Sequence, residues 1–147
     1  MLCRDLSILT AVCLAAFSLF PGAARAAEPP VEFHAALDGT HEVPPVQTEG
    51  KGRLGATLDR STKVLTYTVT YQGLTGPATA AHFHGPADPG SNAGIVLPLQ
   101  ATSPIKGTAT LTDQQMNDLL ANKWYVNVHT QAHPDGEIRG QALRGGP

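Results

Sequence analysis

The six histidines are the residues of this chain best suited to chemistry, and three of them lie in two stretches with strand-like alternation. In the segment 78–84, His82 and His84 are two residues apart, so both imidazoles lie on one face of an extended strand. In the segment 123–130, His129 belongs to a second set of alternating residues. Two strands that each present imidazole on one face can hold a metal ion between them.

The ligand chemistry favours copper, with zinc as the alternative. Imidazole nitrogens without thiolates suit both metals, and copper(II) stands highest in the affinity order of the divalent ions. His34 and His41 are expected at the surface, but either could replace His133 as the fourth ligand. The predicted ligands are His82, His84, His129 and His133.

The first 26 residues have the pattern of a signal peptide. Arg4 precedes an apolar run over residues 6–20, and Ala24-Arg25-Ala26 is a small-residue cleavage site. Cleavage near Ala26 predicts a periplasmic or secreted protein, with a short tether at 27–30 and one β domain at 31–147. Both cysteines lie in the leader, so the mature domain would contain no thiolate.

Charge and hydropathy exclude several classes of function. The formal net charge is −2, and removing the leader leaves the chain mildly acidic, which argues against nucleic-acid binding. The apolar run of the leader is shorter than the roughly 20 residues that a membrane-spanning helix needs, and no later segment is more apolar. Neither a serine nucleophile elbow nor a phosphate-binding loop is present in the sequence.

Short alternating segments separated by glycine and proline predict an all-β domain, an antiparallel sandwich or barrel. One short helix is expected near 112–122, because Thr112 and Gln115 have the spacing of a capping box. The segment 41–45 is expected to be irregular, since its prolines cannot donate to a sheet ladder. The glycine-rich and proline-rich loop 85–94 is expected to form a wall of the histidine site. The predicted strands are 31–37, 53–58, 63–71, 78–84, 95–99, 105–111, 123–130 and 137–143.

Four motifs, in order along residues 31–143, resemble the CHRD domain, a family named for chordin that also occurs in exported bacterial proteins. The resemblance implies a Greek-key β-sandwich or barrel, of superoxide dismutase-like or immunoglobulin-like type. The motifs are Phe33-His34-Ala35-Ala36-Leu37 with Glu42-Val43-Pro44-Pro45, Ala81-His82-Phe83-His84-Gly85-Pro86-Ala87, Tyr125-Val126-Asn127-Val128-His129-Thr130, and Gly136-Glu137-Ile138-Arg139-Gly140-Gln141.

The implied likeness to copper-zinc superoxide dismutases assigns roles to individual residues. His82 and His84 are similar to the His-x-His pair that dismutases place on copper, and His129 is similar to a later copper ligand. Arg139 resembles the arginine that draws the anion toward copper. The mature chain lacks a cysteine pair and a recognisable zinc loop, so the resemblance implies a copper-only site.

Glu137 and Arg139 have a second interpretation that does not need a metal. They alternate onto one face of the last predicted strand, which favours a cross-strand ion pair at the sheet edge, where such pairs contribute little stability.

Two hypotheses of different class follow. In the first, the chain is an exported copper-binding β-sandwich protein, and the activity to test is superoxide dismutation at a copper-only site. In the second, it is a non-catalytic extracellular module that binds protein or matrix. The first requires the nitrogens of His82, His84 and His129 to lie about 3–4 Å apart, as ligands of one ion would.

Overall fold

Alternating apolar and polar residues form nine strands in the computed structural model, which describes residues 28–145. The predicted signal peptide, residues 1–26, lies outside the described residues. Of the predicted tether, residues 28–30 are described and have no regular secondary structure. The strands are β1 Val31–Asp38, β2 Lys51–Asp59, β3 Val64–Gln72, β4 Ala78–His84, β5 Ile95–Leu99, β6 Ile105–Thr110, β7 Tyr125–Thr130, β8 Ile138–Gln141 and β9 Leu143–Arg144.

The strands form one antiparallel sheet that curls into a nearly closed barrel. Their spatial order is β5-β4-β7-β8-β1-β2-β3-β6, and β9 pairs with β1 beside this path. The pairings of β4 with β7 and of β3 with β6 join strands that are not consecutive in the chain, as in a Greek key. The predicted all-β antiparallel class is confirmed.

The inward faces of the strands share one apolar core. The ring of Phe83 on β4 lies 5.5 Å from that of Tyr67 on β3, and 5.7 Å from that of Trp124. β3 and β4 are far apart in the strand order, so these contacts show that the sheet closes on itself. Phe83 and Trp124 are core residues, as their apolar character predicts.

The predicted helix is confirmed as α1, Asp113–Leu120. Thr112 and Gln115 form both hydrogen bonds of the capping box. Leu119 is buried, and Met116 packs against the core. No helix of residues 28–145 is long and apolar enough to cross a membrane.

The segment 42–50, between β1 and β2, has no regular strand or helix, as its prolines predict. It follows a 3-10 turn, Gly39–His41, that is capped by the Asp38 side chain. The backbone N–H of Val46 donates to Gly39 O at 2.8 Å, which folds the segment back on itself. This loop carries Glu42 to the outer face of the sheet, where the histidines lie.

Candidate metal centre

The histidine site lies on the outer face of β4 and β7, opposite the apolar core. On β4, His82 and His84 flank Phe83, which points inward. The strand register pairs His82 with Asn127 and brings His129 beside Ala80. Alternation and register therefore place the side chains of both strands together, as the sequence predicts.

Three imidazoles converge at this face. His82 Nδ1 lies 3.1 Å from His129 Nε2, and one ligand nitrogen from each of His82, His84 and His129 lies within 4.8 Å of the others. Within residues 28–145 these three residues are the group of histidine, cysteine or carboxylate side chains that is placed to hold a metal ion.

Backbone carbonyls fix the orientation of two of the rings. His84 Nδ1–H donates to Ala93 O at 3.0 Å, and His129 Nδ1–H donates to Pro134 O at 2.9 Å. In both rings this leaves the Nε2 lone pair as the free ligand atom. Nε2 of His84 is buried and has no hydrogen-bond partner in the described part of the chain. Such an arrangement matches the way proteins orient metal-binding imidazoles.

Burial favours the neutral form of two of these imidazoles. It lowers the pKa of His82, and the charges of His129 and His84 act in the same direction. Burial also lowers the pKa of His84, although the hydrogen bond to Ala93 O and the nearby Asn127 side chain oppose the shift. Neutral imidazole is the form that binds metal.

The loop 85–94 walls the site, as predicted. Besides accepting from His84, Ala93 donates its N–H to the Tyr125 hydroxyl at 3.2 Å. The Tyr125 ring stacks on His84, with centroids 4.8 Å apart and planes only 2° from parallel. The loop thus fixes both the position and the tautomer of one ligand.

Arg139 lies beside the site but is covered by the same loop. Its guanidinium donates to Asn92 Oδ1 at 2.9 Å and to Ser91 O at 2.7 Å, and it stacks on Tyr125 at 3.4 Å. The residue is 2% exposed, and burial lowers its pKa. Its observed contacts hold the loop against β7 and β8. The role of anion guide stays a prediction, which this burial does not favour.

The ion-pair interpretation of Glu137 and Arg139 is wrong. Glu137 precedes the first residue of β8, so strand alternation does not fix its direction. Its carboxylate accepts hydrogen bonds from Thr48, Thr75 and Thr130. Burial would raise the pKa of Glu137, but these hydrogen bonds hold it below the ordinary value. Glu137 therefore ties three segments together and has no contact with the arginine.

Glu42 is a neighbour of the site that the sequence analysis did not assign. It is 6% exposed, and its Oε1 accepts no hydrogen bond within residues 28–145. Burial raises its pKa to about 7, although the charge of Arg139 and a hydrogen bond from Asn127 act in the opposite direction. Glu42 lies in an aperiodic segment, so the only sequence signal was its place in a family motif.

The other histidines lie outside the cluster. His133 is partly exposed, and its backbone N–H bonds to Thr130 in the turn after β7. His41 Nδ1 bonds to Asp38 at 2.7 Å, and His34 Nε2 lies 3.7 Å from Glu32. The three-histidine group includes none of these residues, so a fourth histidine ligand stays a prediction.

Comparison with known proteins identifies the family. A search of the curated proteins and a search of the solved structures each found no significant match, so the likeness to dismutases depends on the motifs alone. The family model of the CHRD domain matches residues 33–142, which include every strand that bears a ligand of the candidate site. This chain therefore belongs to the CHRD domain family.

Proposed function

We propose that this chain is an exported protein that binds a copper ion through His82, His84 and His129. The observation that carries the proposal is the convergence of three imidazole nitrogens, one pair of them 3.1 Å apart. Ligands about 2 Å from one ion lie at most about 4 Å apart, so the 3.1 Å pair fits directly, and His84, within 4.8 Å of the others, needs at most a small shift toward the ion.

The state of the ring nitrogens supports a metal rather than a purely structural cluster. A packed structural histidine satisfies both nitrogens with protein partners or water. Here His84 has one nitrogen fixed by a carbonyl and the other buried without a partner. His129 is also fixed through Nδ1, so its Nε2 faces the cluster as an acceptor. A cation placed between His84 and His129 would satisfy both lone pairs at once.

Copper is favoured over zinc by affinity, because a neutral imidazole site binds copper(II) more tightly than any other divalent first-row ion. Bound copper would supply one-electron chemistry, and superoxide dismutation is the activity of that kind to test.

His82 is the ligand with the greatest exposure, so a small molecule would reach the site from its side. The non-catalytic binding module remains the alternative that applies when no metal binds.

The experiment measures the metal content of the purified chain after incubation with copper and removal of excess ions. We expect about one copper per wild-type chain, as the one cluster found within residues 28–145 implies. The His84→Ala variant should lose most of this copper, because a buried ligand is removed. His34→Ala is the matched control, since it removes an imidazole outside the cluster and should retain wild-type copper.

Equal copper content in wild type and His84→Ala would contradict the proposal. A superoxide assay on the loaded wild type then separates two kinds of copper protein. Activity that is lost in His84→Ala supports a dismutase, whereas loaded protein without activity is a copper carrier. The export part is tested separately, by fractionating cells that express the full chain and sequencing the mature N-terminus.

A further inference from the structure

We infer that Asn127 supplies a fourth, oxygen ligand to the metal, and that Glu42 positions its amide. This inference depends on the copper site proposed above and specifies its coordination. It assigns a role to each of two buried residues, Asn127 and Glu42, which a site of three histidines alone would not explain.

The first observation is a close approach between two acceptors. Asn127 Oδ1 lies 3.0 Å from His129 Nε2. Since Nδ1–H of His129 donates to Pro134 O, Nε2 of the neutral imidazole carries a lone pair and has no proton to offer the amide. Two acceptors at this distance repel each other unless a metal ion or the second proton of an imidazolium lies between them, and a metal ion would replace that proton. The same arrangement is favourable when both atoms bind one ion.

The distances fit a common ion. His129 Nε2 is 3.0 Å from Asn127 Oδ1 and 3.1 Å from His82 Nδ1. Nitrogen and oxygen ligands at about 2.0 Å from a tetrahedral ion are roughly 3.3 Å apart, and slightly closer when the angles narrow. The Asn127 side chain is also close enough to the imidazole of His84 to influence the pKa of His84. Asn127 thus contacts two of the ligands and is paired in the sheet with the third, His82.

The surroundings of Asn127 keep its amide away from bulk solvent. The residue is 3% exposed and lies between β4 and β8 on the outer face of the sheet. A buried amide oxygen needs a partner within the protein or a bound ion. The contact with a lone pair of His129 does not satisfy it.

Glu42 explains which atom of the amide faces the imidazoles. Glu42 Oε1 and Asn127 Nδ2 both lie within 3.0 Å of the position that a Cβ on Gly136 would occupy, and the Asn127 side chain lowers the pKa of Glu42, as a nearby donor does. With its nitrogen directed to Glu42, Asn127 presents its oxygen to the histidines. Gly136 makes room for this contact, since a Cβ there would collide with Glu42 Oε1 and lie 2.9 Å from Nδ2.

The oxygen ligand has a consequence for the oxidation state of copper. An amide oxygen is a hard ligand and favours copper(II), whereas softer ligands favour copper(I). Three imidazoles with one amide oxygen would therefore stabilise the oxidised ion relative to the reduced ion. Removing the oxygen should raise the reduction potential of bound copper, a property that structural support alone would not change.

The experiment measures copper(II) affinity and the copper reduction potential of the full chain. Asn127→Leu keeps the size of the side chain but removes the oxygen, so copper(II) affinity should fall about 10- to 100-fold and the potential should rise. Asn127→Asp keeps an oxygen and adds a negative charge, so it should retain or tighten copper(II) binding and lower the potential. Glu42→Gln frees the amide to turn, and should change both quantities in the same direction as Asn127→Leu but by less.

Thr130→Val is the matched control for damage to the strand. Thr130 is also buried on β7, but its hydroxyl donates to Glu137 rather than to the imidazoles. This variant should lose stability and keep wild-type affinity and potential. Thermal melts of the metal-free proteins identify any variant that does not fold, and Asn127→Asp then carries the test.

The results separate the two proposals. Wild-type affinity and potential in Asn127→Leu, together with loss of copper in His84→Ala, would overturn the fourth ligand and leave the copper site. Failure of the wild type to bind copper would overturn both. An unchanged potential in Asn127→Asp would also contradict ligation by this residue.

Discussion

Two buried glutamates, Glu137 and Glu42, show how differently one fold can treat the same side chain. Glu137 is 0% exposed, and its two oxygens accept four hydrogen bonds from three threonines. Glu42 is nearly as buried, at 6%, but its Oε1 accepts no hydrogen bond in the described chain. Burial penalises the charged form of both, so the difference lies in the donors around them.

The donors determine the direction of the pKa shift. Hydrogen bonds outweigh burial at Glu137 and lower its pKa, whereas burial dominates at Glu42 and raises its pKa to about 7. Ionised Glu137 therefore stabilises the fold, and ionised Glu42 destabilises it. The residue that costs stability is the one beside the candidate metal centre, where we infer that its charge positions the Asn127 amide.

The largest expected effect comes from Glu137→Gln. The amide cannot accept all four hydrogen bonds, and its NH₂ group would face donors, so we expect a loss on the order of 3 kcal/mol in the free energy of unfolding. The lowered pKa means that this contribution is complete above the ordinary value of 4.5 and is lost as the pH falls through the folded-state pKa. Urea unfolding at several pH values measures both effects. Equal stability of variant and wild type at pH 7 would show that the hydrogen bonds to ionised Glu137 do not stabilise the fold.

Glu42→Gln should have a smaller effect, of opposite sign, in the metal-free protein. The raised pKa means that wild-type stability falls as the pH rises from 4.5 toward 7, because the fold favours the protonated carboxyl. The uncharged amide avoids this loss, so the variant should exceed the wild type by about 1–3 kcal/mol above pH 8 and match it near pH 4. Urea unfolding in the presence of a chelator provides the measurement. A variant that is less stable than the wild type at pH 8 would show that charged Glu42 is well solvated.

The smallest effect is expected for Thr48→Val, which removes one of the four hydrogen bonds to Glu137. The other three remain, but the acceptor of the Gly50 N–H is lost as well, so the loss should be about 1–2 kcal/mol. The pKa of Glu137 should rise toward its ordinary value, which NMR titration of the carboxyl carbon would detect. An unchanged pKa would mean that the remaining threonines are sufficient.

Much of the sheet and of the site could be predicted from alternation. His82 and His84 share a face because they are two residues apart, and His129 joins them because β4 and β7 pair with His129 opposite Ala80. The capping box likewise located α1, since its two side chains bond only to nearby backbone.

The rest depends on segments without periodicity. The burial of Glu42 follows from the path of the loop after β1, and no repeat in the sequence encodes that path. The ion-pair prediction for Glu137 fails for a similar reason, because it extends the alternation of β8 to a residue that precedes the strand. Arg139 is within the strand, but its burial depends on the loop 85–94 that covers it.

The ligands of the candidate site are divided between β4 and β7, which pair in space but are separated along the chain by β5, β6 and α1. No short peptide from this protein contains the complete set of imidazoles. A metal ion would therefore bind the assembled barrel far more tightly than the unfolded chain. Binding would stabilise the paired state of β4 and β7. The metal-loaded protein should exchange the backbone amide protons of this ladder more slowly than the metal-free protein.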